Sequence, residues 1–288
     1  MKLVLSGFRA GCGARYQIEI PAQACAFTNR RHVMGGKQLT EQERRTKWNA
    51  MCDAVADQMR AFTRPYVSVL AGEVDIGTGT FIENSDAQIL TCAHVARFDP
   101  TAFYVDHAGS VQLQPGMWRM EGDPKKDVAI SPLPEDEWAK VCGRASTLSI
   151  SRFAQIHEPV KDELLFFRGI AGENANYIGN FGTDVILSGY CSQEKHDTGD
   201  GEIFEVLWKG GQASVTSGTD SSVRDRVLYD NPAGFSGSLV WNTRFVELGC
   251  DLSTWTPDDA IITGLLRRYD EATETLLVWR IEHVRAWL

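Results

Sequence analysis

Apolar residues keep a helical period over one long stretch, at Trp48, Met51, Cys52, Val55, Met59 and Phe62. That is the i, i+3, i+4, i+7 spacing of a helix with one buried face. Thr40 and Glu43 precede it in the capping-box pattern, and Arg64-Pro65 closes it, because a residue before proline is pushed out of the helical region. From Tyr66 the period changes. Short β-type runs follow at 66–70, 79–82, 89–92, 103–105, 127–131, 164–167, 185–187, 203–208, 238–241, 260–266 and 275–281, punctuated by Gly and Asp. Such a series without intervening helices predicts antiparallel sandwiches or barrels, not a parallel sheet built from alternating strands and helices. Residues 281–288 regain a spacing suited to a short terminal helix, and the weakly patterned residues 143–161 are the expected seam between two halves.

The chain has 288 residues, enough for one large domain or two small ones with a real core. Its 43% hydrophobic and 23% charged residues are ordinary for a globular protein and exclude collagen-like, disordered and coiled-coil readings. No run approaches the roughly 18 apolar residues of a membrane span, so no membrane partner is expected. A formal net charge of −9 argues against a nucleic-acid partner, which needs a basic face. The charge is uneven: residues 1–60 hold ten Lys/Arg and five Asp/Glu, a net +5, and the remainder carries −14. Seven cysteines, never as C-x-x-C, suggest reduced thiols, and without zinc-type spacing no metal or cofactor is expected. The first residues have a three-residue apolar stretch, too short for a secretory leader, so the expected location is cytoplasmic.

A serine hydroxyl is a poor nucleophile until a neighbouring base takes its proton, and that base needs a third group to orient it. One ordered trio meets the need. Ile89-Leu90-Thr91-Cys92-Ala93-His94 is an apolar run ending in a small-residue turn that presents His94. Asp127 opens the run Val128-Ala129-Ile130, and Ser236 lies in the glycine-flanked turn Gly234-Phe235-Ser236-Gly237. Alone, each has a plain structural reading: a strand-end histidine, a turn aspartate, a chance G-x-S-G.

Together they resemble the chymotrypsin-like (trypsin-like) serine peptidases of bacterial intracellular type, whose chain order is His, Asp, Ser. Leu90-Thr91-Cys92-Ala93-His94 is similar to that family's T-A-A-H histidine turn, and Asp127-Val128-Ala129-Ile130 to its D-[IV]-A-[LV] strand. Asn231-Pro232-Ala233-Gly234-Phe235-Ser236-Gly237-Ser238 resembles the N-P-G-x-S-G-[GS] nucleophile turn, and Ile262-Thr263-Gly264-Leu265-Leu266 the strand bordering the substrate cleft. The likeness runs from about Tyr66 to the C-terminus.

The resemblance implies an all-β fold of two antiparallel six-stranded barrels. The expected division is an N-terminal extension with one amphipathic helix (1–62), a first barrel with His94 and Asp127 (63–150), and a second barrel with Ser236 (151–288), ending in a short helix. It implies a serine endopeptidase that cleaves protein or peptide substrates through an acyl-enzyme. His94 is then base and acid, Asp127 its orienting partner, and the N–H groups of Gly234 and Ser236 the oxyanion hole. Each such donor contributes roughly 3–4 kcal/mol of transition-state stabilisation. Phe235 stands where activated digestive members carry an aspartate, so activation through a new N-terminal amine is excluded. Asp230, six residues before Ser236, has the offset of an acid that selects basic substrates; Leu266 borders the same expected pocket, and Arg267 and Arg268 would instead favour acidic ones. An intracellular protease needs restraint, so gating by a regulatory protein partner or cellular signal is expected.

Two rivals differ in class. An α/β-hydrolase wants glycine two residues after the serine, where Ser238 stands, and lacks the βα alternation it needs here. A non-catalytic or latent module on the same scaffold would act through its cleft or its N-terminal segment. That basic segment is expected to brace or cover the acidic remainder, and Arg30-Arg31 is a self-cleavage candidate if Asp230 confers basic specificity.

Overall fold

The computed structural model describes residues 8–15, 39–73, 75–123, 125–177, 183–195 and 200–288, and only the backbone of 8–15, 175–177, 183–184 and 210. Arg30-Arg31 lies outside the described residues. The long helix forms where its caps and period place it, α1 at Glu41–Thr63. Thr40 Oγ1 accepts the Glu43 N–H at 3.2 Å, and the Glu43 carboxylate accepts the Thr40 N–H at 2.7 Å. Such a cap contributes about 1 kcal/mol. The 3₁₀ turn Arg64–Tyr66, with Pro65 inside it, then leads the chain into its first sheet.

Six strands make that sheet: β2 (Val67–Ala71), β3 (Ile76–Asn84), β4 (Asp86–Thr91), β5 (Thr101–Asp106), β6 (Gly109–Leu113) and β8 (Ala129–Pro132). Two-residue strands β7 (Arg119–Met120) and β9 (Leu148–Ser149) complete it, in the order β6-β5-β2-β3-β4-β8-β7 with β9 on β3. The chain passes from one sheet to the other between Leu148 and Phe153. Leu148 pairs with Ile82 of the first sheet, and Phe153 bridges to Ile262 of the second.

The second sheet again has six longer strands from the body of the chain: β10 (Leu165–Tyr177), β11 (Thr183–Ser192), β13 (Ile203–Leu207), β15 (Leu239–Asn242), β16 (Ile261–Asp270) and β17 (Thr275–Arg280). Short β12 (Glu194–Lys195) and β14 (Ser214–Val215) lie at its edges. Strand β13 alternates as a half-buried strand should, with Phe204 and Val206 turned inward. A ninth strand, β1 (Phe8–Arg15), comes from the N-terminal segment and lies parallel to β11 and antiparallel to β14. Its residues FRAGCGAR alternate, with Phe8, Ala10, Cys12 and Ala14 at every second position, but the small residues and glycines give a weak strand signal that the pairing with β11 completes. The chain closes with a short helix, Ile281–Trp287.

The two halves share one core, in which Phe81, Leu90 and Val128 of the first meet Phe166, Trp241, Leu265 and Trp279 of the second. Helix α1 belongs to it. Trp48, Cys52, Val55, Ala56 and Met59 are buried there, Trp48 lies 6.2 Å from Phe245 ring to ring, and Phe62 meets Trp241 edge-on. Each large side chain fully buried contributes about 1.5–3 kcal/mol, far more than exposed ion pairs at about 0–1 kcal/mol. Apolar packing therefore holds this part of the N-terminal segment.

Candidate active site

Strand register brings the first two residues of the trio together. Strand β4 pairs antiparallel with β8 so that Thr91 faces Ala129 and Leu90 faces Ile130. His94, three residues beyond Thr91 on the one-turn helix α2 (Ala93–Ala96), therefore meets Asp127, two residues before Ala129. His94 Nδ1 lies 2.6 Å from Asp127 Oδ2, and the His94 backbone N–H donates to Asp127 Oδ1 at 2.9 Å. Both carboxylate oxygens thus serve one residue, fixing the ring's position and placing its proton on Nδ1. Burial pushes the Asp127 carboxyl up, but the hydrogen bonds and charge of His94, with the charge of Arg267, hold it below its ordinary value. Arg267 Nε stands 4.0 Å from Asp127 Oδ2.

The serine turn is held from both halves. Thr78 of β3 donates its N–H to the Ser236 carbonyl at 3.0 Å and its Oγ1–H to the Gly234 carbonyl at 2.9 Å. Its Oγ1 also accepts the Ile170 N–H at 3.1 Å, and the Thr91 hydroxyl donates to its carbonyl at 2.7 Å. From the other side, the Gly237 N–H donates to the Leu266 carbonyl at 2.9 Å. Gly234 (φ 106°) and Gly237 (φ 91°) adopt backbone conformations that side chains rarely tolerate. A Cβ on Gly237 would stand 2.0 Å from the Thr78 carbonyl oxygen, and one on Gly234 would stand 2.8 Å from that of Ile170.

The Ala233 carbonyl is drawn to the Gly172 N–H at 2.5 Å, which turns the next amide, that of Gly234, the opposite way. Among the described residues neither the Gly234 nor the Ser236 N–H has an acceptor. Two adjacent unspent donors beside a serine are what a developing oxyanion needs.

His94, Gly234, Ser236, Leu266 and Arg268 line one cleft of about 490 Å³. Asp127 and Arg267 line an adjoining hollow of about 260 Å³, together with His94 and Arg268. The Ser236 hydroxyl, however, donates to the Arg267 carbonyl at 2.7 Å, not to His94. Asp230 is exposed and does not line the cleft; it lies beside Glu173, whose carboxyl burial, reinforced by the Asp230 charge, pushes up. Phe235 is buried, its ring edge-on to Phe167 at 5.1 Å, so the residue before the serine anchors the turn in the second core.

Sγ of Cys92 and the ligand atoms of His94 and Asp127 lie within 4.8 Å of one another, close enough to suggest a cation site. The Cys92 thiol is fully buried and donates to the Leu266 carbonyl at 3.2 Å. Burial, reinforced by the Asp127 charge, pushes its pKa well up, so it stays protonated and is a poor metal ligand. Sequence reasoning missed Thr78, Thr91 and Cys92 as supports of the site. Nothing in G-T-G-T or L-T-C-A marks the Thr78 hydroxyl or the Cys92 thiol as a group that reaches the other sheet.

No protein-family model matches the chain, and no curated protein matches it. Among solved structures it is similar to the active form of the Rv3671c protease from M. tuberculosis, at 17% identity over 81% of this chain and 83% of that one, with a TM-score of 0.45. It is similar to a Glu endopeptidase at 12% identity, covering 78% and 88% of the two chains with a TM-score of 0.47. It is also similar to the MamO protease domain of Magnetospirillum magneticum, at 9% identity, covering 78% and 96% with a TM-score of 0.43. Two antiparallel sheets of six principal strands, with His94 and Asp127 on the first and Ser236 on the second, give this chain the chymotrypsin-like fold that its sequence resembles.

Proposed function

We propose that the protein is a serine endopeptidase working through Ser236, His94 and Asp127. The observation that carries this reading is the 2.6 Å contact between His94 Nδ1 and Asp127 beside a cleft that also holds Ser236. With the proton on Nδ1, His94 Nε2 offers a lone pair. Rotation of the Ser236 side chain away from the Arg267 carbonyl brings Oγ to that nitrogen. Oγ attacks the scissile carbonyl as its proton passes to Nε2, and the substrate oxygen takes its charge against the Gly234 and Ser236 N–H groups. His94 then returns the proton to the leaving amine, and water, activated by the same base, hydrolyses the acyl-enzyme. Asp127 keeps its charge throughout and stabilises the imidazolium.

Substrates on this reading are proteins or peptides. The two cleft-side arginines, Arg267 and Arg268, favour an acidic residue near the scissile bond over the basic one that the exposed Asp230 would select. A specific observation supports a second reading, a latent form of the same site: the Ser236 hydroxyl is bonded to Arg267 and must be released before it can react. Gating by a partner or signal would act on that bond. Among the described residues no helix is long and apolar enough to cross a membrane. The test is cleavage of a peptide library by the full chain, with Ser236→Ala as the blank. Cuts made by the wild type and absent from the blank support the peptidase; identical peptide patterns sink it.

A further inference from the structure

Strand β10 carries a buried cation that the cleft chemistry does not use. Arg168 is 4% exposed. One guanidinium nitrogen donates to the Arg60 carbonyl at 2.8 Å, whereas its buried Nε–H has no partner among the described residues. The charges acting on it are mainly those of Arg60 and Arg64, both of the same sign, and burial together with them lowers its pKa to about 9. A guanidinium taken out of water without a carboxylate is unfavourable unless something anionic joins it.

The space for an anion is present. A cavity of about 230 Å³ is lined by Arg60, Arg64, His107, Arg168, Gly218 and Asp220. It lies where the end of α1, strand β10 and the β5–β6 turn meet, and the side chains of Arg64 and His107 touch across it. Its acids are largely engaged. Asp57 stands 3.3 Å from Arg60 but also accepts the Thr216 hydroxyl at 2.6 Å and the Gly218 N–H at 2.9 Å. Asp220 at the wall accepts the Ser222 N–H at 2.7 Å. Arg60 also donates to the Gly218 carbonyl at 2.7 Å, and nearby Asp106 is taken by Arg144 at 2.6 and 2.7 Å. Among the described residues three guanidinium groups therefore face these two carboxylates and leave the cavity positive; planar guanidinium forks suit tetrahedral oxyanions.

We propose that this cavity is a binding site for a phosphate-type oxyanion, held by Arg168 from β10 and by Arg60 and Arg64 from the end of α1. Occupancy ties the N-terminal helix to the strand that supports the serine turn. Two residues beyond Arg168, the Ile170 N–H bonds Thr78 Oγ1, and two further on the Gly172 N–H bonds the Ala233 carbonyl. The site does not depend on whether Ser236 is a nucleophile.

The full chain is exchanged into phosphate-free buffer and titrated with inorganic phosphate and, separately, with O-phosphoserine. Calorimetry and thermal melting are read against sodium chloride at matched ionic strength. Saturable binding of one phosphate per chain is expected, with a Tm rise of about 2–4 °C at saturation that chloride does not reproduce. Tighter binding of inorganic phosphate assigns a free ion as the natural ligand; tighter binding of O-phosphoserine assigns a phosphorylated side chain. Arg168→Met should abolish binding and Arg64→Gln should weaken it at least about tenfold, while Arg45→Gln on the exposed face of α1 should leave it unchanged. If Arg168→Met does not fold, Arg64→Gln decides. No saturation by about 20 mM phosphate, or equal affinity in wild type and Arg64→Gln, would overturn the proposal.

Discussion

The two sides of the cleft are built by different means. On the first sheet, His94 and Asp127 are thirty-three residues apart, but one antiparallel strand pair, β4 against β8, sets them face to face and lets them satisfy each other. On the second, Ser236 sits in a turn whose shape is imposed from outside, by Thr78 of the other half, Leu266 of β16 and the buried Phe235. His94 is pre-set by its own partner. Ser236 depends on the joining of the halves, and its hydroxyl rests on a neighbouring carbonyl. A device that switched this protein would therefore act on the serine side.

The largest effect expected is kinetic. Ser236→Ala or His94→Ala should each lower kcat by roughly 10⁴–10⁶, and the double variant should lose little more, because the two groups act as a unit. Steady-state cleavage of a peptide ester checks it. Asp127→Asn should be severe but milder. Near-normal turnover in His94→Ala would show that the pre-set pair is structural and would dissolve the comparison.

Next comes remote support of the serine side. Trp48 of α1 is 1% exposed and packs on Phe245. Trp48→Ala should cost about 3–5 kcal/mol of unfolding free energy in urea, since removing a buried aromatic leaves a cavity. A loss under about 1 kcal/mol would mean that the helix is an appendage rather than core.

Thr78→Val sharpens the contrast more finely. It keeps the shape but leaves the Gly234 carbonyl and the Ile170 N–H without their hydroxyl partner, at a cost of about 1–3 kcal/mol in stability. On the catalytic side it should lower kcat about tenfold to a hundredfold, with KM less affected, by loosening the oxyanion turn. An unchanged kcat would remove Thr78 from the account.

The smallest effect is in pH. Asp127 is held below its ordinary value of 3.8 in the folded protein, so its favourable contribution is complete above that value and is lost as pH falls through the lower, folded one. The stability gap between wild type and Asp127→Asn should shrink as the solution is acidified below about pH 4. A gap that widened on acidification would reverse the sign and the assignment of His94 as its partner.

How legible each side was in the sequence follows the same division. His94, Asp127 and Ser236 lie in segments whose local spelling is distinctive, so residue order and flanking glycines were enough to nominate them. The helix was equally plain, because a capping box and an apolar stripe are local features. What supports the serine was not. Thr78 acts through Gly234 and Ile170, ninety or more residues away, and a short polar side chain gives no period to read. Strand β1 is faint for a different reason: its apolar alternation is made mostly of small residues separated by glycine and arginine, so its place rests on pairing with β11. Asp230 shows the converse. Its offset from Ser236 suggested a specificity pocket, whereas the turn carrying it leaves it exposed beside Glu173.

The central claim is that Ser236, despite its resting bond to Arg267, is a nucleophile activated by His94. Reaction with a fluorophosphonate reagent, followed by peptide mapping of the adduct, tests it directly. The account predicts one adduct per chain, on Ser236, absent from Ser236→Ala and slowed by at least about a thousandfold in His94→Ala. An adduct on another residue, or labelling of Ser236 at the wild-type rate in His94→Ala, would contradict it.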